Sequence, residues 1–320
     1  MEYTLNRLNG EKSVSQEQKE NGSIRLKVTE KCPWECRFCH REGGWGIDDV
    51  RWDEAMQKNI KILKDSLELK EVHLTGGEPT SNKYLEELAE GLVSLGLSVK
   101  MTTNGQFNEK KLDGLMRAGI NEFNFSIHAL NPADFIVSQR NNDLDWAQKN
   151  IENQKKSIIQ ALERGANVKL NILISDGRDI EKSLEVFRFA KNHGIPLRFL
   201  NDLNNGEVSI NVINKMVEEI LNGEKFKEAT VNGSSSKSSY YRDKDGFEFG
   251  VKEIRDYKLK TLCGDCNESC GEQFYGIRLE QRDGTFYVRL CLDRKDGKNL
   301  MTVGEFMKSE QLAEIIKLLK

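Results

Sequence analysis

The chain has 320 residues, enough for one large domain, a smaller one and a substantial buried core. Its 48 basic and 51 acidic residues leave a net charge of −3, which gives no reason to expect nonspecific attraction to nucleic acid or membranes. No apolar run approaches the roughly 18 residues of a membrane-spanning helix, and the polar residues 1–22 lack the apolar core of a signal peptide. We therefore expect a cytosolic protein.

Between residues 23 and 200, short β-rich runs alternate with longer amphipathic stretches. Strands are predicted at 23–29, 70–75, 97–103, 121–127, 167–174 and 196–200. Helices are predicted at 54–67, 83–95, 109–119, 144–164 and 179–194. This alternation indicates βαβ units and a parallel sheet, and six strands predict an α/β fold of the partial (β/α)6 TIM-like barrel type. A flat doubly wound sheet is the alternative.

The alternation ends after Leu200. A helix is predicted at 211–223, a serine-rich loop at 231–241, strands at 246–254 and around Cys291, and a terminal helix at 305–320. We therefore expect three parts. They are a polar N-terminal extension over 1–22, a barrel over 23–205 and a smaller C-terminal α+β domain over 206–320.

The seven cysteines fall into two groups with none left over. Their positions are Cys32, Cys36 and Cys39, then Cys263, Cys266, Cys270 and Cys291. In a reducing cytosol such cysteines bind metal or take part in catalysis more often than they form disulfides. A division into three and four is what one open and one closed metal cluster would need.

The first group, in the segment CPWECRFC, directly follows the first predicted strand, at the end of a barrel where active sites lie. A structural zinc site, with His40 completing a Cys₃His set, is one interpretation. The other is an iron–sulfur cubane, which three thiolates would leave with one iron open for chemistry.

A second motif decides between these interpretations. Gly76, Gly77, Glu78 and Pro79 end a predicted strand, 37 residues after Cys39. Cys-x3-Cys-x2-Cys followed by GGEP resembles the radical S-adenosylmethionine (SAM) superfamily. The resemblance implies a [4Fe–4S] cluster that binds SAM, with Phe38 beside the adenine and the GGEP segment at the methionyl amine. It favours the cluster over zinc.

Further segments resemble one family in particular. MTTNG, FNFSIHALNP, VKLNILI and LRFLNDLNNG are similar to segments of the molybdenum-cofactor GTP 3′,8-cyclases, and the resemblance extends from about Arg25 to the C-terminus. By position it implies that Thr102, Ser126 and Asn171 contact SAM. The alternative for each is a residue that caps its own strand end.

The second cysteine group, CGDCNESCGEQ with a distal Cys291, resembles the C-terminal auxiliary-cluster element of the same family, a domain of the twitch or SPASM type. In the cyclases three cysteines hold a [4Fe–4S] cluster whose open iron binds substrate. Here about ten extra residues include Cys270, so a fourth thiolate could close the cluster. A Cys₄ zinc ribbon is the alternative, and the radical SAM motifs favour iron–sulfur.

Three basic residues match the positions at which the cyclases grip a nucleoside triphosphate. Arg25, Lys169 and Arg198 are therefore candidates for holding one carboxylate or phosphate of a substrate. The alternative is that each forms a surface or strand-end ion pair.

Other positions depart from the cyclase pattern. Glu71 and His73 precede TGGEP where the cyclases usually carry bases, and an acid facing a triphosphate would weaken binding. Glu268 and Ser269 replace an arginine pair, for which Arg278 is a partial substitute. The chain also ends in LLK without the cyclases' glycine–arginine tail. We therefore expect the fold and radical chemistry to be shared and GTP cyclisation to be poor.

The resemblance implies an enzyme with two [4Fe–4S] clusters and SAM as cofactors. It would cleave SAM reductively to a 5′-deoxyadenosyl radical and abstract a hydrogen atom from a small-molecule substrate such as a nucleotide- or sugar-like molecule. No general base is nominated. A one-electron donor such as flavodoxin or ferredoxin is the expected partner. The alternatives are a peptide-modifying radical SAM enzyme, disfavoured by an extension too short for a leader-binding domain, and a noncatalytic zinc or iron–sulfur module.

Overall fold

The computed structural model describes residues 14–44, 46–268 and 270–319. Its strands are β1 Ser15–Lys19, β2 Ser23–Lys27, β3 Glu71–Thr75, β4 Ser98–Thr103, β5 Ile120–Ser126, β6 Asn167–Ile174, β7 Leu197–Asn201, β8 Glu224–Val231, β9 Ser236–Arg242, β10 Glu248–Ile254, β11 Arg278–Arg282, β12 Thr285–Arg289 and β13 Leu300–Thr302. Its helices are α1 Glu54–Leu67, α2 Leu85–Ser94, α3 Glu109–Arg117, α4 Pro132–Val137, α5 Leu144–Glu163, α6 Ile180–Asn192, α7 Gly206–Lys215, α8 Lys260–Cys263, α9 Val303–Phe306 and α10 Glu310–Leu319. None of the helices in these ranges is long and apolar enough to cross a bilayer.

The centre of the fold is a run of six parallel strands, β2 to β7, in chain order. Helices connect successive strands, and their apolar residues pack with those of the strands in one large core. This confirms the predicted partial barrel and the six strand positions. Side-chain carboxylates and amides begin the helices where the sequence has them, since Asp53, Asn108 and Asp143 each accept a backbone N–H of the following turn.

Strands from outside the barrel extend the sheet at both edges. Beyond β7 the order continues through β10, β9, β8 and β1, and beyond β2 it continues through β11, β12 and β13. β11 pairs with β2 in parallel, with Arg278 opposite Arg25. The C-terminal third of the chain therefore adds strands to both edges of the same sheet. The domain division near residue 205 stays a prediction.

Two C-terminal expectations are wrong. The serine-rich segment 231–241, expected as a loop, contains β9, which is hydrogen-bonded between β8 and β10. Its serines are compatible with burial because Ser235 and Ser239 find hydrogen-bond acceptors on the protein, which a sequence reading cannot anticipate. The terminal helix is interrupted, since α9 ends at Phe306 and α10 begins at Glu310.

The two glycines of the GGEP segment allow a close approach between two loops. A Cβ on Gly76 would lie 2.4 Å from the carbonyl oxygen of Thr29, and one on Gly77 would lie 2.3 Å from that of Lys31. Any side chain there would push away the loop that carries the cysteines. The expectation was an approach to a ligand, and the structure adds this approach to the neighbouring backbone.

Candidate functional site

One cavity of about 590 Å³ runs along the inside of the partial barrel. Its mouth is lined by Cys32, Cys36 and Cys39, together with Gly76 and Gly77. These residues all follow the carboxyl ends of β2 and β3, so the first cysteine group and the GGEP segment meet as the sequence led us to expect.

Trp34 anchors the cysteine loop to the rest of the protein. Its indole Nε1 donates to Asn150 Oδ1 at 2.8 Å, and its ring packs on Phe135, with ring centroids 5.0 Å apart. Two amides also reach the sulfurs, since Gln139 donates to Cys36 Sγ at 3.3 Å and Asn104 to Cys32 Sγ at 3.7 Å. Side-chain amides therefore surround thiols that the loop presents to the cavity.

The spacing of these thiols differs from that of a closed zinc site. Zinc–sulfur bonds of about 2.3 Å at tetrahedral angles bring ligand sulfurs within roughly 4 Å of one another. Cys32, Cys36 and Cys39 form no set of three ligand atoms within 4.8 Å of one another. His40 Nδ1 already accepts the backbone N–H of Glu42 at 3.1 Å. This arrangement suits a larger centre better than a Cys₃His zinc ion.

Desolvation by the surrounding protein opposes ionisation of two of these thiols, Cys32 and Cys36. It raises the pKa of Cys32 to about 12 and that of Cys36 to about 11. Thiolates are the form that binds metal, so a positively charged centre is needed to hold them ionised.

Glu78 is occupied by protein donors. Its carboxylate is 1% exposed and accepts the Asn104 backbone N–H at 2.6 Å, with hydroxyl donors Thr103 at 2.7 Å and Thr80 at 2.8 Å. Burial nonetheless raises the pKa of this carboxyl. The side chain thus ties β3 to the end of β4, and any contact with an ammonium group would be in addition to these bonds.

The other expected SAM contacts also line the cavity, at different depths. The Phe38 ring packs edge-on against His128, with centroids 4.6 Å apart. The Thr102 hydroxyl is bonded to His73 Nε2 at 2.7 Å. Asn171 Oδ1 accepts from Arg198 Nε at 3.1 Å. Ser126 lines the cavity without a side-chain hydrogen bond among the described residues.

The second cysteine group meets at a separate small cavity of about 80 Å³, which Cys263, Cys266, Cys270 and Cys291 all line. The Cys270 thiol donates to Cys291, which lowers the pKa of Cys291 and raises that of Cys270. Ligand atoms of Cys270, Cys291 and Asp293 lie within 4.8 Å of one another. Cys270 therefore belongs to this cluster of thiols. Ser269 lies outside the described residues.

A buried chain of ion pairs connects the two cysteine loops. Glu42, three residues after Cys39, binds Arg25 and also Arg278, whose Nε lies 2.9 Å from Glu42 Oε2. Arg278 binds Glu272 in turn.

This series of ion pairs ends in the second cysteine loop. Glu272 Oε2 accepts the backbone N–H of Leu292, next to Cys291, at 3.2 Å. Glu42, Arg278 and Glu272 are 3% to 6% exposed. Two arginines that we expected to face the substrate thus have protein partners. Arg25 is ion-paired with Glu42 but still lines the cavity. Arg278 does not line the cavity, so it is no substitute for the missing arginine pair.

The remaining substrate candidates divide in the same way. Glu71 is ion-paired with Lys100 and does not line the cavity, so the expectation of an acid facing the substrate is wrong. His73 does line it, and burial together with the charges of Arg25 and Lys100 holds its pKa well below the usual value. Lys169 and Arg198 line the cavity and form no ion pair among the described residues, although Glu122 also lines it and its charge partly offsets the burial that lowers the pKa of Lys169.

Several lining residues were missed by the sequence analysis. They are Lys19, His128, Ser238, Tyr240, Lys252 and Tyr275. Lys252 alternates with the buried Phe249 and Val251, a pattern that signals a second face, but the sequence does not say that this face lines the barrel. Lys19 lies in a strand that was not expected.

The site has features that fit an iron–sulfur cluster with SAM. Three thiols share the mouth, glycine backbone forms part of its wall, and the buried atoms Asn124 Oδ1 and His128 Nδ1 line the cavity without a hydrogen-bond partner. Unpartnered buried polar atoms of this kind are usually satisfied by a ligand or by water.

Comparison with known proteins agrees with this geometry. Residues 26–190 match the radical SAM superfamily. The chain belongs to this superfamily. It is a radical SAM enzyme that cleaves SAM reductively and abstracts a hydrogen atom from its substrate, with [4Fe–4S] clusters and SAM as cofactors.

The similar proteins cover most of the chain. The GTP 3′,8-cyclase of Aquifex aeolicus is 30% identical over 89% of this chain and 87% of that protein. The GTP 3′,8-cyclase of Campylobacter fetus is 28% identical over 89% of this chain and 85% of that protein. The solved structure of anSMEcpe with bound AdoMet superposes with a TM-score of 0.57 over 93% of this chain and 83% of that one, at 14% identity, which is a likeness of fold.

The buried ion-pair chain generates a stability prediction. Arg278→Met would leave Glu272 buried without its cation, and breaking such a pair costs about 3–5 kcal/mol. Arg242→Met is a matched control, because its pair with Glu248 is about half exposed and is worth less than about 1 kcal/mol. We expect the melting midpoint of the anaerobically purified protein to fall much further in the first variant. Equal shifts would show that the buried chain contributes no more than a surface pair.

Proposed function

We propose that Cys32, Cys36 and Cys39 ligate the SAM-binding [4Fe–4S] cluster, and that Cys263, Cys266, Cys270 and Cys291 ligate a second, closed one. The proposal is supported by the shared mouth of the first three and the shared small cavity of the other four. A closed cluster would serve in electron transfer or in holding the C-terminal strands, because no iron would remain for substrate.

The chain's own residues then position SAM and exclude water. When bound and supplied with one electron, the SAM-binding cluster provides the chemistry that turns SAM into methionine and a 5′-deoxyadenosyl radical. Phe38 and His128 form an aromatic corner suited to adenine, and the Gly76–Gly77 backbone faces the cavity where the amino acid part would lie. Ser126, Thr102 and Asn171 offer polar groups further along the wall.

The substrate is a small molecule with an oxyanionic group, phosphate or carboxylate. One observation carries this proposal: Lys169 and Arg198 line the same cavity as the three thiols, and neither forms an ion pair among the described residues, although Glu122 also lines the cavity and its charge acts on Lys169. Burial lowers the pKa of Lys169, and the charge of Arg198 lowers it further. Desolvated cations without partners are costly, and a bound anion offsets that cost.

A cavity of about 590 Å³ is suited to SAM and a small molecule. A small one-electron carrier such as flavodoxin or ferredoxin would supply the electron.

The first test removes the proposed SAM-cluster ligands. Replacing Cys32, Cys36 and Cys39 together by Ala should abolish 5′-deoxyadenosine production and remove about half of the bound iron, because thiolates are the strong ligands of such clusters. Both quantities are measured after anaerobic reconstitution, with dithionite as reductant. SAM cleavage that persists in this variant would refute the assignment.

The second test concerns closure of the auxiliary cluster. Cys270→Ser should alter the EPR spectrum of the reduced auxiliary cluster and leave the SAM-cluster signal in place, since the Cys270 thiol contacts Cys291. The triple variant described above isolates the auxiliary signal for comparison. An unchanged spectrum with full iron content would make Cys270 a bystander and would restore an open cluster that binds substrate.

The third test uses GTP as substrate. We expect 3′,8-cyclisation to be at least roughly 100-fold slower than that of a GTP 3′,8-cyclase, since each lost charge-assisted contact costs about 1.5–3 kcal/mol. Arg278 is occupied by Glu42 and Glu272, and His73 is held neutral. Product formation is measured by chromatography alongside an authentic cyclase. Comparable rates would show that other residues bind the triphosphate.

A further inference from the structure

The wall of the cavity built by β9 and β10 carries a row of hydroxyl groups. Ser236, Ser238 and Tyr240 alternate along β9 and line the cavity, while the intervening Lys237 and Ser239 bond to Glu228 and Glu253 on the opposite face. Among the described residues, Ser238 Oγ has no hydrogen-bond partner. This wall is therefore polar on the side that faces the ligand space.

A cation lies in the same wall. The Lys252 ammonium donates to Ser236 Oγ, lies 5.4 Å from the centroid of the Tyr275 ring and forms no ion pair with a described residue. Its own burial and the nearby charge of Arg198 lower the pKa of Lys252, and the charge of Lys252 lowers that of the Tyr275 phenol. Within the part of the chain that the structure describes, this ammonium therefore has no counter-ion.

The wall formed by β9 and β10 lies next to Arg198, which belongs to β7. Gly250 of β10 stands opposite Arg198 of β7, and a Cβ at Gly250 would lie 3.2 Å from Arg198 Cγ. Lys252 follows two residues later on the same face of β10. Arg198 therefore lies between Lys169 on one side and Lys252 on the other.

We propose that Lys252, Ser238 and Tyr275 form a second oxyanion-binding subsite, so that the substrate carries two oxyanionic groups, one held by Lys169 and Arg198 and the other by this wall. The residues supply an ammonium and hydroxyl donors without a carboxylate, which is the donor set that phosphate and carboxylate share. The proposal rests on the proposed function for the identity of the cavity as the substrate site.

The test compares ligands that carry two oxyanionic groups (bis-anions) with ligands that carry one, on the reconstituted holoenzyme with SAM. Binding of inorganic pyrophosphate, phosphate, glutarate and acetate is measured by anaerobic calorimetry, with the iron content checked before and after. We expect the wild type to bind pyrophosphate at least tenfold more tightly than phosphate, or glutarate at least tenfold more tightly than acetate. The pair that shows this preference distinguishes phosphate from carboxylate.

The variants locate the effect. Lys252→Met should remove the bis-anion preference, Ser238→Ala should reduce it about threefold, and Lys252→Arg should restore most of it. Lys237→Met is the matched control, because Lys237 is a neighbour that faces away from the cavity, and it should keep the wild-type preference. A bis-anion preference that is absent in the wild type, or unchanged in both Lys252→Met and Ser238→Ala, would overturn the subsite.

A separate assay tests the proposed function. These binding measurements need no turnover, whereas SAM cleavage by the wild-type protein is assayed alone. A wild type that fails to cleave SAM but keeps the Lys252-dependent preference would refute the function and leave the subsite standing. Normal SAM cleavage without that preference would refute the subsite and leave the proposed function standing.

Discussion

The buried ion pairs from Arg25 through Glu42 and Arg278 to Glu272 are the interaction on which the arrangement of the site depends. Arg25 and Arg278 stand opposite each other where β2 meets β11, a juxtaposition of like charges that is tolerable because Glu42 binds both. Glu42 follows the first cysteine group, and Glu272 lies within the second. The contact that joins β11 to the open edge of the barrel therefore also fixes the two cysteine loops relative to each other.

The interior of the barrel shows the opposite electrostatic condition. Glu42 satisfies Arg25 and Glu71 satisfies Lys100, but Lys169, Arg198 and Lys252 face the cavity and form no ion pair among the described residues. These cations are half-buried, and a ligand that supplies the missing negative charge would stabilise them. In the proposed function, the mouth of the cavity holds the cofactors and its depth holds an anionic substrate, so that one continuous space brings the two together.

The sequence departs from the pattern of the GTP 3′,8-cyclases both in the barrel, at Glu71 and His73, and in the C-terminal region, at Cys270. The relatives align over about nine-tenths of this chain. The cysteine loop, the GGEP segment and the polar strand ends line one cavity. Arg278, which could have replaced a substrate-binding arginine, is instead a structural cation. β9 and β10 contribute a wall of hydroxyls and one lysine.

The sequence by itself determined the six barrel strands, the helices between them and the grouping of the cysteines, because periodicity and motif spacing are local properties. It did not reveal β9, since a serine-rich strand resembles a loop until its hydroxyls find partners on other strands. It also could not separate Arg278 from Lys169, two basic residues with similar local patterns. Only the tertiary structure decided which cation is neutralised and which faces the cavity, because a charge acquires its role from acids far away in the chain: Glu42 lies 236 residues from Arg278.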